Sequence, residues 1–159
     1  EGVEIEPLIH GGGQEDGQRS GTEAVMMAVA LGTASHLASK RLTLAKVSET
    51  RDYFWSALKE AFGDAVIQNG DLERRLPNTL NVSFIGRDGS KILEQLDGFA
   101  ASTGSACHED SVTMSPVLAA MGLSDNVAMG AIRFSVGDAT TPDEIDLTVK
   151  SLAAVVPTV

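Results

Sequence analysis

The residue with the clearest chemical potential is Cys107, the only cysteine in the 159-residue sequence. A run of small residues, Ser102-Thr103-Gly104-Ser105-Ala106, precedes it and lets the backbone turn sharply without covering the sulfur. A thiol on a polar loop that contains glycine is a candidate nucleophile. A lone cysteine also occurs as a small buried apolar residue, so the local sequence leaves both interpretations open.

A second unusual stretch is the glycine-rich segment 10–22, with the sequence HGGGQEDGQRSGT. It is not a phosphate-binding P-loop, because no Gly-Lys-Ser/Thr follows, and it lacks the spacing of a dinucleotide-binding fingerprint. Such a segment either lets the backbone approach a ligand closely or forms a surface loop. Thr22 at its end either favours an anion at a helix N-terminus or simply caps that helix.

Two long helices are predicted after the glycine-rich segment. The first, over 22–38, is rich in Ala, Met and Leu and is expected to be buried on most of its surface, with Met26-Met27 in the core. The second, over 40–62, has an apolar stripe that places Phe54-Trp55 in the core. Its solvent-facing residues are predicted to be Arg51, Asp52, Lys59 and Glu60.

Shorter elements make up the rest of the chain. Alternating patterns predict strands over 65–68, 79–85, 99–102 and 131–136, with a weak strand signal in 1–9. Short helices are predicted over 90–97, 115–121 and 126–130, and a longer one over 142–156, with Ser90, Asp125 and the stretch 140–144 as N-terminal caps. Strand 131–136 places Arg133 and Ser135 on one face. Because strands alternate with helices, the fold class is α/β or α+β.

Composition excludes several kinds of partner. The net charge of −10 argues against a nucleic-acid or anionic-membrane surface, both of which need clustered Lys and Arg. No run of about 18 apolar residues is present, so no membrane-spanning helix is predicted. One cysteine cannot form an internal disulfide, which suits a reducing, cytoplasmic location. The length fits one domain, or a small domain with part of another.

Three separated segments together resemble one family. They are HGGGQEDGQRSGT at 10–22, PNTLNVSF at 77–84 with STGSAC at 102–107, and GAIRFSVGDATT at 130–141. In this order they are similar to the NifS-like cysteine desulfurases, which are pyridoxal-phosphate enzymes of the class V aminotransferase type. The resemblance covers nearly the whole chain.

The resemblance implies a role for each matching residue. Cys107 matches the nucleophile that takes sulfur from the substrate as a persulfide, and Arg133 matches the arginine that binds the substrate α-carboxylate. Thr22 matches a threonine that contacts the cofactor phosphate in the neighbouring subunit, which implies a homodimer. Gln14 and Arg19, with Gly21, match the loop near the cofactor. Without the resemblance, Arg133 is interpreted as a surface charge on an edge strand.

The resemblance also implies a fold and a division into domains. The expected fold is the C-terminal part of a pyridoxal-phosphate-dependent transferase of the aspartate aminotransferase-like type I, with an α+β small domain. Residues 1–21 are expected to be the tail of the cofactor domain, 22–40 a linking helix, and 41–159 the small domain that carries Cys107. No metal site is expected.

One family feature has no counterpart in the chain. The Schiff-base lysine of the family lies upstream of the glycine-rich loop, whereas no lysine here precedes Gly11. The chain is therefore expected to be the C-terminal portion of a longer enzyme and to be inactive by itself. The five lysines present fall on predicted helices: Lys40, Lys46, Lys59, Lys91 and Lys150.

The chain departs from the family pattern at Asp16, Ala24 and His108, where the family usually has Arg, Asn and a small hydroxyl residue. The Cys107-His108 pair, followed by acids, also looks like the related selenocysteine lyases, which form the alternative substrate class. A third interpretation is a non-catalytic thiol carrier or scaffold module. For the desulfurase, the implied partners are an amino-acid substrate and a sulfur-acceptor protein.

Overall fold

The computed structural model describes residues 5–41, 44–103 and 114–156. The chain divides into two compact units, Glu1–Leu42 and Thr43–Val159. The first contains the glycine-rich loop and one long helix, and the second contains a four-stranded sheet with its helices. The predicted mixture of helices and strands is confirmed, while the domain boundaries at 21/22 and 40/41 stay predictions.

The first unit has one helical turn and one long helix. A 3₁₀ turn covers Glu15–Gly17, and α1 covers Val25–Arg41. Residues 5–9 form no strand, so the weak strand signal of 1–9 is wrong for its described part. The prediction that Thr22 caps the helix is also wrong, because Ala24 O accepts the hydrogen bond from Ala28 N and the helix begins three residues after Thr22.

Helix α1 is exposed along its length, which overturns the prediction of a largely buried helix. Met26 and Met27 are 86% and 71% exposed, so neither belongs to the core. The other large apolar side chains exposed on this helix are Val25, Val29, Leu31 and Leu37. The composition of a helix indicates that it is apolar, but it does not indicate whether another element covers it. Among the residues that the structure describes, no helix is both long and apolar enough to cross a bilayer.

The second unit begins with a long helix and alternates short helices with strands. Its elements are α2 (Leu44–Phe62), a 3₁₀ turn (Gly63–Ala65), β1 (Val66–Gln68), β2 (Thr79–Phe84), α3 (Gly89–Leu93), β3 (Ser102–Thr103), α4 (Pro116–Ala120), α5 (Asp125–Ala128), β4 (Ala131–Ser135) and α6 (Pro142–Val155). The predicted end of α2 at Phe62 is confirmed. Its predicted start at 40 is wrong, because Lys40 belongs to α1.

The four strands form one sheet in the order β1-β2-β4-β3, and every neighbouring pair is antiparallel. In the β2–β4 pair Asn81 faces Arg133, and in the β3–β4 pair Ser102 faces Arg133. Because β4 lies between two strands, the interpretation of Arg133 as a charge on an edge strand is wrong. The predicted strand 99–102 is shorter than expected and covers only Ser102–Thr103.

Helices α2 and α6 cover one face of the sheet and enclose the core. The core contains Phe54, Leu58 and Phe62 of α2 with Ile145 and Leu152 of α6, packed on Leu80, Val82, Phe84, Ile132 and Phe134 of the strands. Alternate strand residues point to opposite faces, so this pattern follows from the alternation in the sequence. The predicted core positions of Phe54 and Trp55 are confirmed, since Phe54 is buried and Trp55 packs against the cluster.

Arg51 is the exception to the predicted solvent face of α2, because it is buried. Its Nη1 donates to Leu76 O at 3.1 Å, and its Nη2 lies 2.8 Å from Asp52 Oδ1. A buried guanidinium is tolerated when it is paired and hydrogen-bonded, as it is here. The helical pattern did not reveal this partner, because Leu76 is distant in the sequence.

The N-termini of three helices confirm one predicted cap and correct two. Asp88 rather than Ser90 caps α3, since its carboxylate accepts from the amides of Ser90 and Lys91. The N-cap position of α5 is Ser124 rather than Asp125. The predicted capping sequence of α6 is confirmed as a capping box between Thr141 and Glu144.

Candidate functional site

The second face of the sheet carries polar side chains and forms the candidate site of the second unit. By strand alternation this polar face holds Thr79, Asn81, Ser83, Ser102, Arg133 and Ser135, together with Ile67 and Ala131. Helices α4 and α5 pack only at its Ala131 end, where Leu118, Ala128 and Ala131 form a small apolar cluster. Among the described residues, Arg133 and Ser135 at the other end of this face are exposed.

Arg133 is the one cationic strand residue of the polar face. Its side chain is exposed, and within 5–41, 44–103 and 114–156 it makes no hydrogen bond or ion pair. No Asp or Glu occurs among the strand residues on this face. A guanidinium held on an inner strand with all its donors available suits a planar anion such as a carboxylate.

Two asparagines were missed in the sequence: Asn81, which lies opposite Arg133, and Asn69, which bonds to Asn81. Asn69 Nδ2 donates to Asn81 Oδ1 and to Ser83 Oγ, both at 2.7 Å, and Asn69 N donates to Asn81 O at 2.9 Å. The alternation of TLNVSF could have placed Asn81 on the polar face. Only the pairing of β2 with β4 sets it opposite Arg133.

Cys107 and His108 lie outside the residues that the structure describes. The last described residue before Cys107 is Thr103 of β3, four positions earlier, and the next described residue is Met114, which packs against the apolar cluster around Leu118. The role of Cys107 as a nucleophile stays a prediction.

The glycine-rich loop of the first unit is folded back on itself. Ser20 Oγ donates to Gly12 O at 2.8 Å, Gly21 N donates to Gln14 Oε1 at 3.2 Å, and Arg19 Nη1 donates to Ser20 O at 2.9 Å. A Cβ on Gly21 would stand 2.8 Å from Arg19 Nη1, and the φ of Gly21 is +113°. The φ of Gly21 therefore favours glycine at this position, because L side chains rarely adopt it.

Arg19 and Thr22 line one groove in the first unit. The groove has a volume of about 790 Å³ and is also lined by Glu15, Glu23 and the first two turns of α1. Thr22 is exposed and makes no hydrogen bond within the described ranges, so its hydroxyl is available. The guanidinium and the hydroxyl fit a phosphate group. Gln14 does not line the groove, because its side chain bonds to Gly21.

Three of the five lysines contact other groups of the second unit, and these three lie on helices as predicted. Lys46 Nζ donates to Asp138 O at 3.1 Å, and Lys91 Nζ lies 3.9 Å from Asp88 Oδ2. Lys59 Nζ lies 2.8 Å from Asp64 Oδ1, and this hydrogen bond lowers the pKa of Asp64. The described residues therefore fit the phosphate of a pyridoxal cofactor, and the described residues that line the groove of Arg19 and Thr22 include no lysine.

Comparison with protein families gives a match to the aminotransferase class-V model over residues 7–148. The chain is 41% identical over 150 residues to the cysteine desulfurase IscS of Enterobacter sp. (strain 638), covering 93% of this chain and 37% of that protein. It is 42% identical over 149 residues to the cysteine desulfurase IscS of Klebsiella pneumoniae (strain 342), covering 92% and 36%. The chain thus spans little more than a third of the length of these relatives.

Solved structures support the same family assignment. A NifS-like protein has a TM-score of 0.80 and 36% identity, covering 96% of this chain and 39% of that chain. A NifS-like protein from Rickettsia africae also has a TM-score of 0.80, with 27% identity, covering 96% and 40%. SspA in complex with cysteine has a TM-score of 0.57 and 30% identity, covering 85% and 36%. These similarities confirm the NifS-like resemblance and the expected fold.

Proposed function

The chain belongs to the aminotransferase class-V family, and from this premise we propose that the complete protein is a pyridoxal-phosphate-dependent cysteine desulfurase. The reaction converts L-cysteine to L-alanine and transfers the sulfur to a thiol of the enzyme. Relatives named cysteine desulfurase, 41% and 42% identical to this chain, support this choice of reaction.

The observation that carries the proposal is the position of Arg133. Its guanidinium projects from an inner strand onto an open polar face, with no partner among the described residues and no acid beside it on the strands. Leaving a cation unpaired suits a site that must receive the carboxylate of an amino acid. Ser102, directly opposite Arg133, begins the two-residue strand that leads towards Cys107.

The cofactor-binding part of the proposal concerns the first unit. Bound pyridoxal phosphate supplies the electron sink that weakens the Cβ–S bond of the substrate. Thr22 and Arg19 would hold its phosphate, Gln14 would keep the loop in shape through Gly21, and Thr22 would serve the neighbouring subunit of a homodimer. The exposed apolar side chains of α1 support an association, because a contiguous apolar surface of this kind marks an interface.

The sulfur-transfer part assigns Cys107 as the nucleophile. Its thiolate attacks the sulfur of the bound substrate, an S–S bond forms as the Cβ–S bond breaks, and a proton goes to the former Cβ. The sum is enzyme-SH plus cysteine giving enzyme-S-SH plus alanine, so no external oxidant is required. The persulfide then passes to an acceptor protein. A cytoplasmic location suits this chemistry, since the thiol must stay reduced between turnovers.

The test uses the protein expressed from the complete gene, incubated with L-cysteine. Peptide mass spectrometry around Cys107 should show one added sulfur, together with free alanine in solution. Cys107→Ser is the matched variant, because it removes the sulfur and keeps a hydroxyl of similar size. It should form neither the persulfide nor alanine at an appreciable rate.

Two results would assign a different function to the protein. Turnover of selenocysteine without turnover of cysteine would identify a selenocysteine lyase. An absence of both alanine and modified Cys107 with either substrate would leave a non-catalytic thiol carrier or scaffold.

A further inference from the structure

We infer that Asn81 provides a second hydrogen-bond donor, beside Arg133, for the α-carboxylate of the amino-acid substrate. The inference rests on the proposed function, because it assigns a specificity residue to the same site. It adds Asn81 of β2 to a site for which the resemblance assigned Arg133 of β4 and Cys107.

The first support is the position of Asn81 relative to Arg133. The two residues are direct cross-strand partners in the antiparallel β2–β4 pair. Cβ atoms at such positions are about 4.5–5.5 Å apart, and their side chains stand on the same face of the sheet. The amide and the guanidinium therefore reach the same volume above the sheet.

The second support is the orientation of the Asn81 amide. Asn69 Nδ2 donates to Asn81 Oδ1 at 2.7 Å, so the acceptor end of this amide is already used. Asn69 itself is held by a further hydrogen bond to Ser83 Oγ at 2.7 Å, and Ser83 is fully buried. Asn81 Nδ2 has no acceptor within the described ranges, and it remains as a donor with a fixed direction.

The third support is the charge of the face. The strand residues around Asn81 include one cation and no acid, although the whole chain carries a net charge of −10. Donors without an acceptor on a face free of carboxylates favour an anion. A planar guanidinium next to a planar amide matches the two oxygens of a carboxylate. Gln95→Ala offers an amide control, because Gln95 is exposed just after α3 and its Nε2 donates to Lys91 O at 2.7 Å.

The experiment measures binding of L-alanine, which carries the α-carboxylate but has no sulfur to lose. Isothermal titration calorimetry is run on the complete protein with its cofactor, using wild type, Asn81→Ala, Asn81→Asp and Gln95→Ala. Ethylamine, which lacks the carboxylate, is the matched ligand. Thermal unfolding of each variant checks that the fold is retained.

We expect Asn81→Ala to weaken L-alanine binding about 10-fold or more, as for loss of a hydrogen bond to a charged group. Asn81→Asp should weaken it at least as much, because the new carboxylate pairs with Arg133. Gln95→Ala should stay within about twofold of wild type, since the Gln95 amide bonds to the carbonyl of Lys91. Binding of ethylamine should be the same in all four proteins.

The inference is overturned if Asn81→Ala binds L-alanine as wild type does, if ethylamine binding falls equally, or if wild type does not bind L-alanine. Desulfuration of cysteine is scored separately. Persulfide formation with no effect of Asn81 would refute this inference alone. Loss of L-alanine affinity in Asn81→Ala without any desulfuration would support the carboxylate site and refute the proposed reaction.

Discussion

Asn81 of β2 and Arg133 of β4 lie directly opposite each other on the polar face of the sheet, which α2 and α6 leave uncovered. The opposite face of the same strands holds Leu80, Val82, Ile132 and Phe134 in the core. The apolar face thus anchors the sheet, and the polar face presents two donors that are far apart in the sequence.

Replacement of Arg133 should impair the reaction at the level of substrate recognition. We expect Arg133→Ala to lower kcat/KM for L-cysteine about 100-fold or more, because two charge-assisted hydrogen bonds are lost. Arg133→Lys should lie between this variant and wild type, since it keeps the charge but not the planar fork. Initial rates of alanine formation by the complete protein provide the measurement.

Arg74→Ala is the matched control for Arg133. The Arg74 side chain is 88% exposed and pairs only with Asp71 three residues away, at 3.2 Å. Its removal should leave kcat/KM unchanged, because exposed ion pairs of this kind contribute little. Equal losses in the Arg74 and Arg133 variants would show that a general charge effect, rather than carboxylate binding, governs the rate.

Gly130 should tolerate no side chain. A Cβ at this position would overlap the carbonyl of Phe84, and Phe84 N in turn donates to Gly130 O at 3.0 Å. We expect Gly130→Ala to lower the free energy of unfolding by about 3 kcal/mol or more, because backbone must move to relieve the overlap. Gly137→Ala is the control, since a Cβ there has no neighbour within 4 Å. Similar melting temperatures for the two variants would refute this account.

The capping box of α6 should add a pH-dependent contribution to stability. Thr141 N and Oγ1 donate to Glu144 Oε2 at 2.8 and 3.0 Å, and these hydrogen bonds lower the pKa of Glu144 from its ordinary 4.5. Because the folded pKa lies below the unfolded one, the stabilisation is present above pH 4.5 and is lost as the pH falls through the folded pKa. Urea unfolding at several pH values measures this pH-dependent stabilisation.

Two variants separate the N-cap hydrogen bond of Thr141 from the charge of Glu144. Thr141→Ala should cost about 1 kcal/mol near neutral pH, as for loss of an N-cap hydroxyl. Glu144→Gln keeps an acceptor and should remove only the acid-dependent part. Asp143→Asn is the control, because Asp143 lies in the same first turn and is not part of the box. An unchanged acid dependence in Glu144→Gln would assign the effect to another carboxylate.

Tyr53 should titrate above its ordinary value. Tyr53 Oη donates to Asp146 Oδ1 at 2.7 Å, and this hydrogen bond is the main cause that raises the pKa of Tyr53. Asp146→Asn should return the pKa towards 10.0, because the charged acceptor is lost. Absorbance titration of this chain reports on Tyr53 alone, since the sequence has one tyrosine. The same pKa in the variant would exclude the carboxylate as the cause.

Local patterns in the sequence predicted the elements that depend on neighbouring residues. The alternation in 79–85 and 131–136 predicted β2 and β4 within one residue of their observed ends, and Arg133 was placed on the correct face. Pro142 after Thr141, with Glu144 three residues on, predicted the start of α6. These features depend on interactions between residues close in sequence, which a single sequence records directly.

The sequence also predicted candidate chemistry, because the motifs around Thr22, Cys107 and Arg133 carry residue types with specific reactivity, and these roles stay predictions. The register of the strands could not be predicted from local patterns. Strand order β1-β2-β4-β3 places Asn81 and Ser102 on either side of Arg133, and this arrangement arises from pairing between segments distant in the chain.

Burial likewise depended on the tertiary structure. The helical pattern of α2 assigned Arg51 to solvent, but Leu76 supplies an acceptor that makes its burial possible. The composition of α1 predicted burial, but Met26 and Met27 are exposed in this chain. Residue types and spacing thus determined the local elements and the candidate chemistry. Tertiary packing decided which side chains are covered and which meet, because both depend on contacts between distant segments that a local pattern does not contain.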